Sequence, residues 1–279
     1  MWRYLSAILM LATASLNAET YYVDSARGDD AHAGTRAAQA WRSLEAVNGR
    51  ELAPGDEVRF AADGVWRGTL APRGRGAASR PVLLCRYGDG ARPRIEGTGE
   101  DAVRLRNFPH VVLEGLEVTN RGAGDRPQRG VHVVADNVGT VSGVVVRDLY
   151  IHDVNGTNEQ KDNGGIIFRT LGMGQPSRFD GLRIERNVVW RVDRSGIAAQ
   201  SDHWPRHRWF PSPNVVIRDN FVADTGGDGI VPWATDGALV EHNILRGANL
   251  RAGSYNAGIW PWSADRTLLR LNRASGVRT

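Results

Sequence analysis

Val215-Val216-Ile217-Arg218-Asp219-Asn220 and, 23 residues on, Ala238-Leu239-Val240-Glu241-His242-Asn243 are one phrase written twice. Each is apolar at alternate positions, as a strand with one buried face must be, and each ends on asparagine. Working outward, the phrase stands again at Leu182-Arg183-Ile184-Glu185-Arg186-Asn187, Val144-Val145-Val146-Arg147-Asp148-Leu149 and Val111-Val112-Leu113-Glu114-Gly115-Leu116, and on the other side at Thr267-Leu268-Leu269-Arg270-Leu271-Asn272. The starts are 33, 38, 33, 23 and 29 residues apart. That spacing is irregular for a helical solenoid but natural for a constant coil from which loops of varied length project. The shortest spacing is the bare unit, and the longer ones place insertions at 122–129, 155–164, 172–180, 201–213 and 248–257.

A second phrase follows the first five: Gly130-Val131-His132-Val133, Gly165-Ile166-Ile167-Phe168, Gly196-Ile197-Ala198-Ala199, Gly229-Ile230-Val231-Pro232 and Gly258-Ile259-Trp260-Pro261. Every coil therefore holds at least two strands. No helical period separates them, which disfavours a doubly wound α/β fold or a leucine-rich repeat. The reading is an all-β chain, a right-handed parallel β-helix (solenoid). Asparagine in a tight bend satisfies backbone groups through its own amide, so Asn187, Asn220, Asn243 and Asn272 are expected to stand in single file, bonded from coil to coil.

The chain divides into a signal peptide at 1–18, an N-terminal cap with the first coils at 19–105, and β-helix coils at 106–279. In the first segment a positive start, Met1 to Arg3, precedes an apolar run and then small residues at Ala12, Ala14, Ser15 and Ala18. That order is a secretory signal, too short to span a bilayer, and it predicts a secreted or periplasmic protein with no membrane span. In the second, Ala38 to Asn48 has helical spacing, with Trp41, Leu44 and Val47 on one side; a short capping helix would plug the open end of the core. At the other end Thr279 follows closely on the sixth phrase with no closing segment, so truncation is expected, with missing C-terminal coils or another chain capping the stack.

Cys85 is the only cysteine, which excludes an internal disulfide. Net charge is +4, but the charges are scattered, and no helix-turn-helix, zinc-finger or aromatic RNA-binding pattern occurs, so nucleic acid is not the expected partner.

The Tyr21-Tyr22-Val23-Asp24 opening with its Gly28-Asp29-Asp30 loop, the Pro54-Gly55-Asp56 turn, the asparagine column and Tyr255-Asn256-Ala257-Gly258-Ile259-Trp260-Pro261-Trp262 together resemble the bacterial secreted right-handed parallel β-helix proteins of the pectate-lyase-like and alginate-lyase-like superfamily. The resemblance covers nearly the whole chain after residue 18. It implies the fold, whereas the group spans lyases, glycoside hydrolases and epimerases, so it leaves the chemistry open.

If each glycine of the second phrase marks one place in successive coils, Arg169, Gln200, Trp233 and Trp262 point outward, with Trp260 beside them. Exposed tryptophans on neighbouring coils make a sugar-stacking platform or an interface, and arginine and glutamine suit hydroxyls and carboxylates. The expected ligand is a polysaccharide, an acidic one if the chemistry is a lyase's, and the expected protein an extracytoplasmic carbohydrate-active enzyme; the alternative is a non-catalytic binding or adhesin-like module. Two chemistries fit. A lyase on a uronic-acid polymer would use Lys161 or Arg194 against the substrate carboxylate, with Tyr255 or His152 as proton donor. A hydrolase would use two of Asp193, Asp224 and Asp228. Lys161 is the only lysine among 35 Lys and Arg, and it sits in a Gly/Asn-rich loop. Aspartates in such loops are more often turn formers, bonding their own backbone, than catalytic acids. No cofactor is required; Ca2+ is the ion that Asp29-Asp30, or Asp153 with Asp162, would suit through carboxylate oxygens.

Overall fold

The computed structural model describes residues 18–253 and 255–278. The expected signal segment lies, up to residue 17, outside them. Among the described residues three large parallel sheets, with three two-stranded ones beside them, wind around one core. A nine-stranded sheet runs, in spatial order, through Thr20–Val23, Glu57–Ala61, Val82–Tyr87, Val111–Glu114, Val145–Arg147, Arg183–Glu185, Val216–Arg218, Leu239–Glu241 and Leu268–Arg270. The six phrases form its last six strands, and three coils precede them.

Strands after the bends, among them Glu117–Asn120, Tyr150–Val154, Val188–Val192, Phe221–Thr225 and Ile244–Ala248, form an eight-stranded sheet. Four of the five second phrases, with Asp101–Arg106 ahead of them, form a five-stranded sheet of Asp101–Arg106, Arg129–Asp136, Gly164–Leu171, Ser195–Ser201 and Ile230–Val231, and the fifth, at Gly258, meets it through an isolated bridge from Ile259 to Ile230. A full coil thus has three main strands, and some coils add a short fourth such as Thr140–Ser142 or Arg178–Asp180, where the repeat predicts at least two.

The alternation of each phrase becomes a column in the stack. Val58, Leu84, Leu113, Val146, Ile184, Ile217 and Val240 are register partners from coil to coil, and all are fully buried. Burying one such side chain is worth about 1.5–3 kcal/mol, so the columns carry the fold. At the far edge the next partner, Leu269, is 38% exposed, and Leu268 and Leu271 are 49% and 69% exposed.

The asparagine file is present. Oδ1 of Asn220 accepts the backbone N–H of Asn187 at 2.9 Å and its amide N–H at 3.0 Å. Asn243 serves Asn220 in the same way at 3.0 and 2.9 Å, and Asn272 serves Asn243 at 3.0 Å for both. The residues before them, Arg186, Asp219, His242 and Leu271, all have φ between 53° and 57°, the left-handed bend that turns the chain into the next sheet. Where the phrase ends on Leu149, its backbone N–H donates to Asn187 Oδ1 at 3.1 Å instead.

The N-terminal cap is shorter than its apolar spacing implies. The α-helix covers Leu44–Gly49, with the Ser43 hydroxyl accepting from the Ala46 N–H, and Ala37–Gln39 is a 3-10 turn. Leu44 and Val47 join the core as expected. Trp41 instead lies in an extended bridge beside Val23, stacked on Tyr21 with ring centroids 4.8 Å apart, its indole N–H donating to the His32 carbonyl. The acidic turn Asp29-Asp30 pins this region: Asp30 Oδ1 accepts the N–H groups of Arg42 and Ser43, and Asp29 Oδ1 that of Ala31.

Candidate functional site

The outer face of the five-stranded sheet departs from strand alternation. Ile167, Ala198 and Val231 are register partners whose side chains point away from the core, yet all are buried under Trp233 and Trp260. A sheet buried on both faces reads as an unbroken apolar run, which is why the second phrases lack alternation. Arg169 pairs with Gln200, and Trp233 with Trp262, so the outward stripe expected from the glycines is real. Trp262 meets Trp260 at 5.1 Å between centroids and Trp233 at 6.1 Å, in edge-to-face geometry.

A fourth ring, Trp204, reaches Trp233 at 6.2 Å from the 201–213 loop. That loop is tied across the stack: Arg206 grips both oxygens of Asp265 at 2.7 and 2.8 Å, and the Ser263 hydroxyl donates to the Trp204 carbonyl. It walls the stripe rather than covering it, since Trp204 and Trp262 remain 42% and 43% exposed. Trp204 had no signal in the repeat, because it belongs to an insertion.

Asp228 lies at the inner end of this groove, its side chain 2% exposed. Its Oδ1 accepts the Trp260 indole N–H and the Ala257 N–H, each at 2.9 Å. Its Oδ2 accepts from Lys161 Nζ at 3.1 Å and lies 3.9 Å from Arg194. Lys161 also donates to the Tyr255 carbonyl at 2.7 Å and sits 5.3 Å from the Trp260 ring centroid. Arg194 is buried against Asp228 and Asn256; burial draws its pKa down and the Asp228 charge opposes this. A Cβ at Gly227 would lie 1.8 Å from the Arg194 guanidinium, so any other residue there would push Arg194 out of its present place.

The loop carrying Lys161 is anchored by the buried Asn163, whose Oδ1 accepts the Gln128 N–H at 2.7 Å. It presents Asp162 as well, bonded by Arg169 at 3.0 Å and Arg129 at 3.5 Å. The sequence sets Asp162 next to Lys161 beside the stripe, though as a calcium ligand with Asp153 and not as an acid of the reaction.

Four expected site residues lie elsewhere. Asp193 and Asp224 sit outside the tryptophan groove, in a separate depression where Arg251 bridges them, at 3.1 Å to Asp193 and 2.6 Å to Asp224. Their place follows from a column of left-handed bends at Asp153, Arg191 and Asp224, with φ of 52°, 52° and 53°. His152 stands on the eight-stranded sheet, bonded to Glu117 at 3.0 Å and Asp153 at 2.9 Å. The Tyr255 side chain is 88% exposed, and only its carbonyl enters the site. The paired carboxylates considered for calcium are apart: Asp153 is held by Arg121, Arg191 and His152, and Asp162 by Arg129 and Arg169. Among the described residues no group of three or more His, Cys, Asp or Glu is placed to hold a metal ion.

A family model described as "Right handed beta helix region" matches residues 92–274. The structure of a GH136 lacto-N-biosidase from Eubacterium ramulus superposes with a TM-score of 0.86 at 30% identity, over 94% of this chain and 52% of that one. A lacto-N-biosidase of Bifidobacterium longum subsp. longum is 28% identical over 318 residues, covering 84% of this chain and 20% of its own length. Pectate lyase Pel9A, at 14% identity and a TM-score of 0.53, over 86% of this chain and 57% of its own, shares the fold alone. The chain spans about half the length of the first of these relatives and a fifth of the second.

Proposed function

This chain belongs to the right-handed β-helix family, and from that premise we propose that it is a glycoside hydrolase acting on a polysaccharide or oligosaccharide, with the tryptophan groove as its substrate cleft. One observation carries the reading: a buried carboxylate, Asp228, is held by the indole N–H of a tryptophan that belongs to an apolar, partly exposed aromatic platform. Aromatic rings take the apolar faces of sugars, and a carboxylate beside them meets the charge of an oxocarbenium-like transition state. We assign the second carboxyl to Asp162, which neighbours Lys161 on its loop and is bonded to Arg169 of the outward stripe. Of the two, one delivers a proton to the leaving oxygen while the other faces the anomeric carbon.

The likeness to the lacto-N-biosidases supports hydrolysis over elimination. So does the state of the cations. A uronate lyase needs a cation for the substrate carboxylate, whereas Lys161 and Arg194 are both engaged with Asp228. No cofactor enters this reading; a Ca2+ ion at Asp153 or Asp162 would have to displace arginine partners.

The test is incubation of the protein with neutral and uronic-acid glycans, following reducing ends and unsaturated sugar separately. New reducing ends without unsaturation are expected. Unsaturated product would establish a lyase, and retention of the glycan without any product would establish a binding module.

Two further expectations belong with this reading. The charged, apolar, small-residue order of 1–18 would export the chain, which fractionation and N-terminal mass analysis check. The open edge at Leu268, Leu269 and Leu271 would be covered by further coils or by another chain, the latter visible as concentration-dependent association in sedimentation.

A further inference from the structure

A second concavity of about 390 Å3 lies away from the tryptophans, on the outer side of the eight-stranded sheet, within the size range of small-ligand sites. Its lining holds Arg67, Arg94, Arg121 and His152, one carboxylate, Glu96, and the hydroxyls of Thr98 and Thr119. Register builds it. Arg67 pairs with Glu96 and Glu96 with Thr119, so their side chains share one outer column. The floor stays low at Gly97, where a Cβ would meet the Asn120 side chain at 2.5 Å.

The charges in and behind this concavity do not cancel. Arg67, Arg94, Arg121 and Arg191 face Glu96, Glu117 and Asp153. Glu96 is shared by Arg67 and Arg94, each at 3.0 Å, and Asp153 by Arg121 at 2.8 Å and Arg191 at 2.7 Å. Glu117 lies 3.4 Å from Arg94, and His152 bridges it to Asp153. A guanidinium has five N–H donors. Arg67 uses its Nε on Glu96, and Arg121 one terminal nitrogen on Asp153, while their side chains are 81% and 70% exposed. The other donors of both have no acceptor among the described residues. Two planar forks with spare donors beside threonine hydroxyls suit a planar or tetrahedral oxyanion carried on a hydroxylated ring.

We propose that this concavity is a second glycan site, one that binds the anionic group of an acidic sugar, carboxylate or sulfate, through Arg67 and Arg121. The proposal is independent of the catalytic reading of the tryptophan groove.

The experiment is calorimetric titration of the protein at low salt with digalacturonate, a sulfated disaccharide and a neutral disaccharide. Either acidic ligand, or both, should bind at least about ten-fold tighter than the neutral one, the worth of one charge-assisted hydrogen bond, and the two acidic arms distinguish carboxylate from sulfate. The double variant Arg67→Ala/Arg121→Ala should lose that preference, while Asp228→Asn should keep it. Arg67 is exposed, while Arg121 is one of three partners of Asp153, so the double variant should melt at or slightly below the parent. If it melts early, Arg67→Lys/Arg121→Lys replaces it: charge is kept and the fork lost, and the preference should fall between. Equal binding of neutral and acidic sugars, no binding of either acid, an unchanged preference in the arginine variants, or its loss in Asp228→Asn would each overturn the proposal.

Discussion

The indole N–H of Trp260 donates to Oδ1 of Asp228 at 2.9 Å, joining the apolar platform to a carboxylate buried at its inner end. A sugar ring resting on the tryptophans is thereby placed within reach of a charge whose position is set by the same side chains.

Asp228→Asn tests that coupling. The amide keeps the shape but cannot balance Lys161 and Arg194, and it removes the charge that meets the developing cation. Turnover of the substrate found by the glycan panel should fall at least about a hundred-fold, with KM changed far less. A variant with parental turnover would remove Asp228 from the chemistry.

Trp262→Ala should weaken substrate binding about ten-fold, with little change in melting temperature, because the ring is already 43% exposed. Trp204→Ala should act in the same direction by removing the wall supplied by the 201–213 loop. Affinity measured on Asp228→Asn keeps the glycan intact for both comparisons.

Asn220→Ala strips the file at its centre. The side chain accepts two N–H groups from Asn187 and donates to the Ile184 carbonyl and to Asn243, all buried. A loss of about 2–4 kcal/mol in urea unfolding is expected. Asn272→Ala, at the half-open end, should lose clearly less.

Asp153 supplies a pH dependence. Burial alone would raise its pKa, but hydrogen bonds from Arg121, His152 and Arg191 outweigh that and bring the carboxyl down to about 2. A depressed folded-state pKa stabilises above the unfolded value of about 3.9 and is lost as pH falls toward the folded one. Asp153→Asn should therefore melt below the parent by a constant margin above pH ~4, and the margin should close between pH ~4 and ~2. A margin that stays constant through that window would contradict the ion-pair account.

The coil was legible because its causes are local. Alternation in Val215 to Asn220 declares one buried face, and the asparagine declares the bend, each over a span of a few residues. The third strand of each coil was not legible, since Tyr150–Val154 and its partners follow the bend directly and carry no phrase of their own. The length of the cap helix was also misjudged, because Trp41 fits a helical spacing and yet gains more by stacking on Tyr21 in extended backbone.

The site divides the same way. Arg169, Gln200, Trp233, Trp260 and Trp262 could be placed on one stripe from sequence alone, since a fixed offset from a repeated glycine becomes a fixed place on the surface once coils stack. Which acids share that surface was decided only in three dimensions. Asp193 and Asp228 each lie near a second phrase, but one turns to Arg251 and the other to Trp260. Lys161 reaches Asp228 across 67 residues because the 155–164 insertion crosses the stack to meet the 248–257 insertion at Tyr255. Strand period is a property of neighbours along the chain. The meeting of loops depends on register and loop length summed over whole coils, and that sum exists only in the folded stack.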